Sequence, residues 1–445
     1  MTSKYTPFIH RINSHESEEI FKDGSITSAS NINEPLHSLG FHSFIHRTKS
    51  AMDITTKLET KNKFYYVVNP FEHTINDYKE DIANISEIYF PGTEPKIQSR
   101  AFYKMWEILS IFDIANVKNL SMVGIAEGPG SFIQAVIRYR EKFFDITKDR
   151  IHCMTIHPED GKHIDIGKTL IDYYDTKYPK LINICKTYKN NIADKDDSKT
   201  NGDITKMKTI NIITQTIEKE KKYADLVTAD GGFEWNNENY QEQEAYKLIM
   251  GEILGCIKVQ AKDGNFVLKI FETFTNVTIK MIYLLTAFYE EVYMYKPFFS
   301  RNTNSEKYMV CRKFKYDQDK NKELLDKRFK ILEKTLNQMD TKNFIIDIFP
   351  KFILKNEQIN VFKYTNILIA NTQQIIINIL VQYIKSNNYF GDDYHRYRMN
   401  QIESNKWWIN TFFTDKKPDF TKIIKDIEHY NDSELNLFIN KLIKY

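Results

Sequence analysis

The sequence predicts an α/β protein with a mostly parallel sheet and helices on both faces. Three observations carry that prediction. Strand-like apolar runs alternate with amphipathic stretches from residue 120 to 314, one run empties directly into a glycine turn, and polar residues gather just after the runs. Alternation on this scale is the pattern of βα units, and ligands of such sheets bind outside the carboxyl ends of the strands.

Residues 1–92 are mixed and polar; within them 64–68 (FYYVV) reads as a strand that Pro70 ends. Pro91, Gly92 and Pro95 punctuate the chain before a predicted helix over 99–112, where Phe102, Trp106, Leu109 and Phe112 recur at helical spacing. Strands are expected at 121–126, 151–156, 224–229, 265–271, 290–296 and 306–313. Helices are expected at 131–141, 160–175, 206–220, 239–259 and 275–289. Beyond residue 316 the pattern turns helical, charged over 317–340 and more apolar over 353–386. The chain is thus expected to divide into an N-terminal extension (1–92), an α/β core (93–316) and a mainly helical C-terminal domain (317–445).

A hydrophobic share of 42% in 445 residues suffices for a large core and excludes global disorder. The net charge of +3 permits a nucleic-acid partner without arguing for one, because a local groove matters more than the total. Cys153, Cys185, Cys256 and Cys311 are far apart and form no Cys-x-x-Cys pair, so neither a zinc site nor a disulfide framework is expected, and the compartment is expected to be reducing. The N-terminus lacks the apolar core of a signal peptide, and 366–384 is interrupted by Asn371, Thr372, Gln373, Gln374 and Asn378. That tract reads as a buried helix, and the protein as soluble and cytoplasmic rather than nuclear, with no membrane partner.

The chemistry-bearing residues follow the strands. Residues 121–126 end at Glu127-Gly128-Pro129-Gly130, and Ser131 and Phe132 open a helix. Such glycines let backbone approach a ligand and leave helix N–H groups pointing at it, although a tight βα turn uses glycine for purely structural reasons too. Residues 224–229 end at Asp230-Gly231-Gly232, and Lys269 lies in the apolar run 265–271. A lysine in a sheet buried on both faces is costly unless paired, and Asp230 is a suitable partner. Burial and a neighbouring cation would lower its pKa toward a range where it acts as a base. Each residue has a plainer alternative: a solvent-facing Lys269, turn-forming Asp230 and Asp203, exposed Lys104 and Glu306. Trp407 and Trp408 read as packing, and Arg396 and Arg398 as phosphate contacts or surface ion pairs.

Together these stretches resemble a known family. Ser99-Arg100-Ala101-Phe102-Tyr103-Lys104 resembles the SRAxxK element of FtsJ-like (RrmJ-type) ribose 2′-O-methyltransferases, and GIAEGPGSF (124–132) is similar to that family's S-adenosylmethionine loop. GDIT (202–205), ADLVTADGGFE (224–234), GNFVLKIFETFT (264–275) and SRNTNSEKYMVC (300–311) follow in the family's order. The last three resemble cap-specific mRNA ribose methyltransferases of eukaryotes and large DNA viruses. The resemblance covers about residues 95–315 and implies a Rossmann-like core, S-adenosylmethionine as methyl donor, no metal, and capped mRNA as substrate, with other capping or transcription proteins as further partners. It implies that Lys104, Asp230, Lys269 and Glu306 form the catalytic tetrad. Lys269 would deprotonate the ribose 2′-hydroxyl, with Asp230 and Glu306 orienting it and Lys104 keeping its pKa low. It places Glu127, Gly128, Pro129, Gly130, Ser131, Phe132 and Asp230 against the cofactor and Asp203 near its adenine. Glu238, Asn239, Arg301 and Asn304 match cap-contacting positions, and Tyr66, Phe233, Trp235 and Tyr240 are candidates to stack on the methylguanine. The run 151–156 is followed by His157-Pro158 without the family's usual acid for the cofactor ribose; Glu159 or Asp160 would substitute. The alternatives are methylation of ribosomal or transfer RNA, and a non-catalytic RNA-binding scaffold on the same fold.

Overall fold

The computed structural model describes residues 5, 7–13, 18–32, 39–57, 65–71, 95–157, 165–185, 200–232, 238–340, 342–387, 391–421 and 424–425. Its centre is an eight-stranded sheet in the order β1-β8-β9-β7-β6-β3-β4-β5. The strands are β1 (Phe8–Ile12), β3 (Ser121–Ile125), β4 (Arg150–Cys153), β5 (Ile182–Ile184), β6 (Ala224–Ala229), β7 (Gln260–Ile270), β8 (Tyr289–Lys296) and β9 (Lys307–Phe314). Strands β5, β4, β3, β6 and β7 pair in parallel. The β7–β9, β9–β8 and β8–β1 pairs are antiparallel. Strands β2 (Ile26–Ala29) and β10 (Phe344–Ile348) form a separate antiparallel pair. From β3 the chain steps outward to β4 and β5, then returns to the other side of β3 as β6. That reversal puts a crevice at the carboxyl ends of β3 and β6.

The long helices are α1 (Leu39–Ser50), α2 (Ala101–Phe112), α3 (Ser131–Phe143), α4 (Lys168–Lys177), α5 (Met207–Glu220), α6 (Tyr246–Val259), α7 (Asn276–Phe288), α8 (Lys322–Gln338), α9 (Asn356–Ser386) and α10 (Asp392–Phe412). Strand side chains alternate between faces, and two cores result. Val123, Val227, Phe266, Leu268, Met309 and Met294 join residues of α5, α6 and α7 in one. Met122, Leu226, Val267, Val310, Tyr308 and Tyr295 join residues of α2, α3 and α4 in the other. Helices therefore cover both faces, as the alternation predicted.

Several sequence expectations change. Residues 65–68 form a helical turn, not a strand. Tyr66, Val67 and Val68 are buried against Leu380, Tyr383 and Ile384 of α9, and that packing overrides the β-propensity of the segment. Helix α4 begins at Lys168 rather than 160, and 158–164 lie outside the described residues. Strands β1, β2, β5 and β10 are additional. The 31-residue α9 has the length and composition to cross a bilayer. Here its Asn366 amide donates to the Thr273 carbonyl at 2.9 Å and its Gln373 amide to Thr303 at 2.8 Å.

Segments outside 93–316 pack onto the core. Buried Glu107 of α2 accepts hydrogen bonds from the Trp408 indole of α10 at 3.0 Å, the Tyr295 hydroxyl at 2.6 Å and the Phe298 N–H at 2.8 Å. Trp407 lies against Tyr5 and Phe298, so both tryptophans serve packing. Arg396 pairs with Asp393 at 2.8 Å.

Candidate active site

The structure brings Lys104, Asp230, Lys269 and Glu306 together. Asp230 follows β6, Lys269 is the penultimate residue of β7, Glu306 precedes β9, and Lys104 projects from α2. Alternation puts Lys269 on the face of Val267, and Glu306 on that of Tyr308 and Val310. This is the face α2 packs on. The Lys104 ammonium donates to Glu306 Oε1 at 2.5 Å. Lys269 Nζ lies 3.1 Å from Asp230 Oδ1 and donates to the Asp230 carbonyl at 2.8 Å. The buried Tyr308 hydroxyl joins the two pairs, 3.1 Å from Glu306 Oε1 and 3.3 Å from Asp230 Oδ1. Sequence reasoning missed Tyr308, although its two-residue offset from Glu306 already placed both on one face.

The electrostatics correct one expectation. Burial pulls the Lys269 ammonium down, but Asp230, Glu306 and Glu252 hold it above its ordinary value. Lys104, expected to depress it, is paired with Glu306 instead. Burial would raise Glu306, yet Lys104, Lys269 and Lys296 bring it down to about 2. The Lys269 ammonium is thus charged at neutral pH.

The glycine loop is built by its neighbours. Gly130 has φ 101°, and a Cβ there would lie 2.8 Å from Leu170 Cδ2, so only glycine fits. The Ser131 hydroxyl lies 2.7 Å from that of Ser99, the Gly167 N–H donates to the Pro129 carbonyl at 3.0 Å, and the Gly128 N–H donates to Thr155 Oγ1 at 3.3 Å. Two residues expected to touch a cofactor turn inward. Phe132 is buried 5.9 Å from the Tyr308 ring. Glu127 is buried below the loop, accepting from Thr228 Oγ1 at 2.7 Å and the Ile133 N–H at 3.3 Å. Burial pushes its carboxyl up to about 8, so it is neutral. Asp203 shapes its own turn, accepting from the Thr205 N–H at 2.9 Å. Asp165 stands 3.7 Å from His157 and two residues before Gly167. It is an acid beside this loop that sequence reading did not single out, whereas Glu159 and Asp160 lie outside the described residues.

On the opposite side, Asn304 braces the 300–306 loop, its Oδ1 accepting from the Glu306 N–H at 3.3 Å and its carbonyl from Lys296 at 2.9 Å. Arg301 is partly buried in the same loop. Asn239 is partly buried within the short turn Glu238–Tyr240, as is Tyr240. Phe233 and Trp235 lie outside the described residues. Tyr66 is no stacking platform, because it is buried with its hydroxyl 2.5 Å from that of Tyr383. Next to the loop is a cavity of about 380 Å³ whose lining includes Asn302, Lys296, Phe298, Phe71 and Tyr5. His42, His46 and Glu272 bring ligand atoms within 4.8 Å of one another, but Lys49 and His46 already hold the Glu272 carboxylate, at 2.5 and 3.3 Å.

A model of the FtsJ-like methyltransferase family matches residues 97–314. The chain is 26% identical over 270 residues to cap-specific mRNA (nucleoside-2′-O-)-methyltransferase 2 of Drosophila melanogaster, covering 60% of this chain and 36% of that protein. It is 39% identical over 116 residues to cap-specific mRNA (nucleoside-2′-O-)-methyltransferase 1 of Trypanosoma cruzi, covering 25% and 31%. A Caenorhabditis briggsae protein named as an inactive cap-specific mRNA (nucleoside-2′-O-)-methyltransferase 1B is 25% identical over 220 residues, covering 47% and 25%. The chain thus spans only about a third or less of the length of these relatives.

Proposed function

We propose, on the match of residues 97–314 to the FtsJ-like methyltransferase family model, that the chain methylates the ribose 2′-hydroxyl of capped mRNA at its first transcribed nucleotide, converting cap 0 to cap 1. The observation that carries this reading is the ionic centre at the strand ends, where Lys269–Asp230 and Lys104–Glu306 share Tyr308. The cap-specific names of the relatives support the choice of substrate.

The loop side fits S-adenosylmethionine. Gly130 leaves no room for a side chain, and the start of α3 lies directly behind it with N–H groups suited to a carboxylate. Among the described residues Asp165, beside the loop and 3.7 Å from His157, is an acid suited to the cofactor's ribose hydroxyls. When bound, the cofactor would supply an electrophilic sulfonium methyl group for the 2′ oxygen and a neutral thioether as the leaving group. Lys269 Nζ receives the 2′-hydroxyl proton. It does so as the free amine, so its resting proton must first pass to solvent water. Asp230 and Glu306, fixed by Tyr308 and Lys104, aim Lys269 and accept no proton themselves. Positioning and deprotonation are the protein's contribution. The half-buried rings of Phe298 and Tyr5 in the cavity beside the 300–306 loop suit a flat cationic base.

A second reading, a non-catalytic RNA-binding scaffold, is favoured by one observation: a relative carries the word inactive in its name. Tritiated S-adenosylmethionine with three RNAs separates the readings. Labelling is expected on capped RNA and not on uncapped RNA or on capped RNA already methylated at the first 2′-hydroxyl. Equal labelling of uncapped RNA would overturn cap specificity, and no labelling of any RNA would favour the scaffold.

A further inference from the structure

We propose that Lys296 is a positioning residue, an inward-facing ammonium that fastens the 300–306 loop and thereby sets Glu306 and Arg301 for the RNA. It rests on the reading of Glu306 as part of the methyl-transfer centre. Lys296 is the last residue of β8, and its Nζ lies 2.9 Å from the Asn304 carbonyl, 2.9 Å from the Glu306 carbonyl and 3.0 Å from Ser300 Oγ. An ammonium has three donors, and these three acceptors are nearest, with Asn304 Oδ1 a longer fourth at 3.4 Å and Ser300 Oγ also donating to the Glu306 carbonyl at 3.0 Å. Two of the nearest three are backbone carbonyls in a loop without regular structure, where an unmade bond is costly.

Side-chain alternation puts Lys296 and Lys307 on the sheet face opposite Tyr308, so Lys296 grips the loop from behind. It fixes the Glu306 backbone while Lys104 fixes the carboxylate from the front. Lys307 holds a different point of the loop, its ammonium donating to the carbonyls of Phe271 and Ser305, and leaves the Asn304 and Glu306 carbonyls to Lys296. Burial, with Lys307 and Lys104 adding to it, lowers Lys296 to about 7 against the pull of Glu306. Burial thus works against the charged form, and the acceptors at Ser300, Asn304 and Glu306 work for it.

The test compares Lys296→Met, Lys296→Arg and Lys269→Met with wild type. It uses three readouts: kcat and KM on capped RNA, S-adenosylhomocysteine affinity by calorimetry, and hydrogen exchange of the 298–308 segment. For Lys296→Met we expect cofactor-product affinity unchanged, faster exchange in 298–308, and kcat/KM for RNA down about a hundredfold, the scale of a small misplacement of a catalytic group. Lys269→Met should lose activity with exchange unchanged. Lys296→Arg keeps the charge but cannot reproduce three converging donors, and should recover only part of the loop protection. Full recovery by arginine, unchanged exchange in Lys296→Met, or a parallel loss of cofactor-product affinity would each overturn the proposal. If Lys296→Met fails to fold, Lys296→Arg decides alone on the same readouts. If wild type methylates no RNA, the exchange comparison still tests the fastening while the functional reading fails separately.

Discussion

Burial and three carboxyl groups, Asp230, Glu306 and Glu252, act on the Lys269 ammonium in opposite directions, and the carboxyl groups prevail. Activity that depends on the free amine should therefore climb with pH across the neutral and alkaline range; a flat profile of kcat/KM would show that no lysine proton is lost. Lys269→Ala should reduce methyl transfer about a thousandfold with the fold intact, the order expected for a lost general base, and single-turnover labelling of capped RNA measures it. Tyr308→Phe removes the hydroxyl shared by Glu306 and Asp230. A drop in kcat of about tenfold with unchanged thermal stability is expected. Lys269 and Asp230 were legible in the sequence because a charge in an apolar strand and an acid at a strand end need partners. Tyr308 was not, because an aromatic residue in a strand looks like ordinary core. The direction of the Lys269 shift was also beyond the sequence, since it depends on which of several charges stand nearest.

Among the elements, β3, β6, β7 and β9 were readable from continuous apolar runs and the turns after them, and their ends moved by only a few residues. Strand β5 has three residues and β1 and β10 five each, too few to show a period, and their partners lie far along the chain. The 65–68 segment failed for the opposite reason: its composition favours a strand, while α9 offers it a pocket as a helical turn. The β3–α3 turn makes a sharper test. Gly130→Ala forces a side chain to φ 101° against Leu170. We expect a loss of roughly 1–3 kcal/mol in denaturant unfolding, together with weaker S-adenosylhomocysteine binding. Normal binding in a destabilised variant would confine the glycine to a structural role.

For the whole molecule, buried carboxyls set a pH dependence. Burial raises Glu127 from an ordinary 4.5 to about 8. Between those values the folded chain holds a proton that the unfolded chain has lost, so this group's contribution to stability falls as pH rises through the window. Relative to Glu127→Gln, which has no proton to lose, wild type should lose on the order of 4 kcal/mol from pH 4.5 to 8. Parallel denaturation curves at the two ends would show that the carboxyl titrates normally. Glu306 has the opposite sign: held at about 2, it stabilises the fold above its ordinary value, and that contribution is lost as pH falls from there toward 2.

The outermost pairing of the sheet has a consequence of its own. Strand β1 closes the edge against β8, with Phe8 opposite Lys296 and Ile12 opposite Val292. Yet nearly the whole catalytic half is synthesised between them. A nascent chain therefore carries β1 as an orphan until β8 emerges, and the rim of β8 is sealed only by a strand made far earlier. Contacts so distant in sequence form slowly, and an unsealed rim is a template for another chain. Expression should consequently suffer more from losing 7–13 than their few side-chain contacts suggest, with clumping rather than lost chemistry as the symptom.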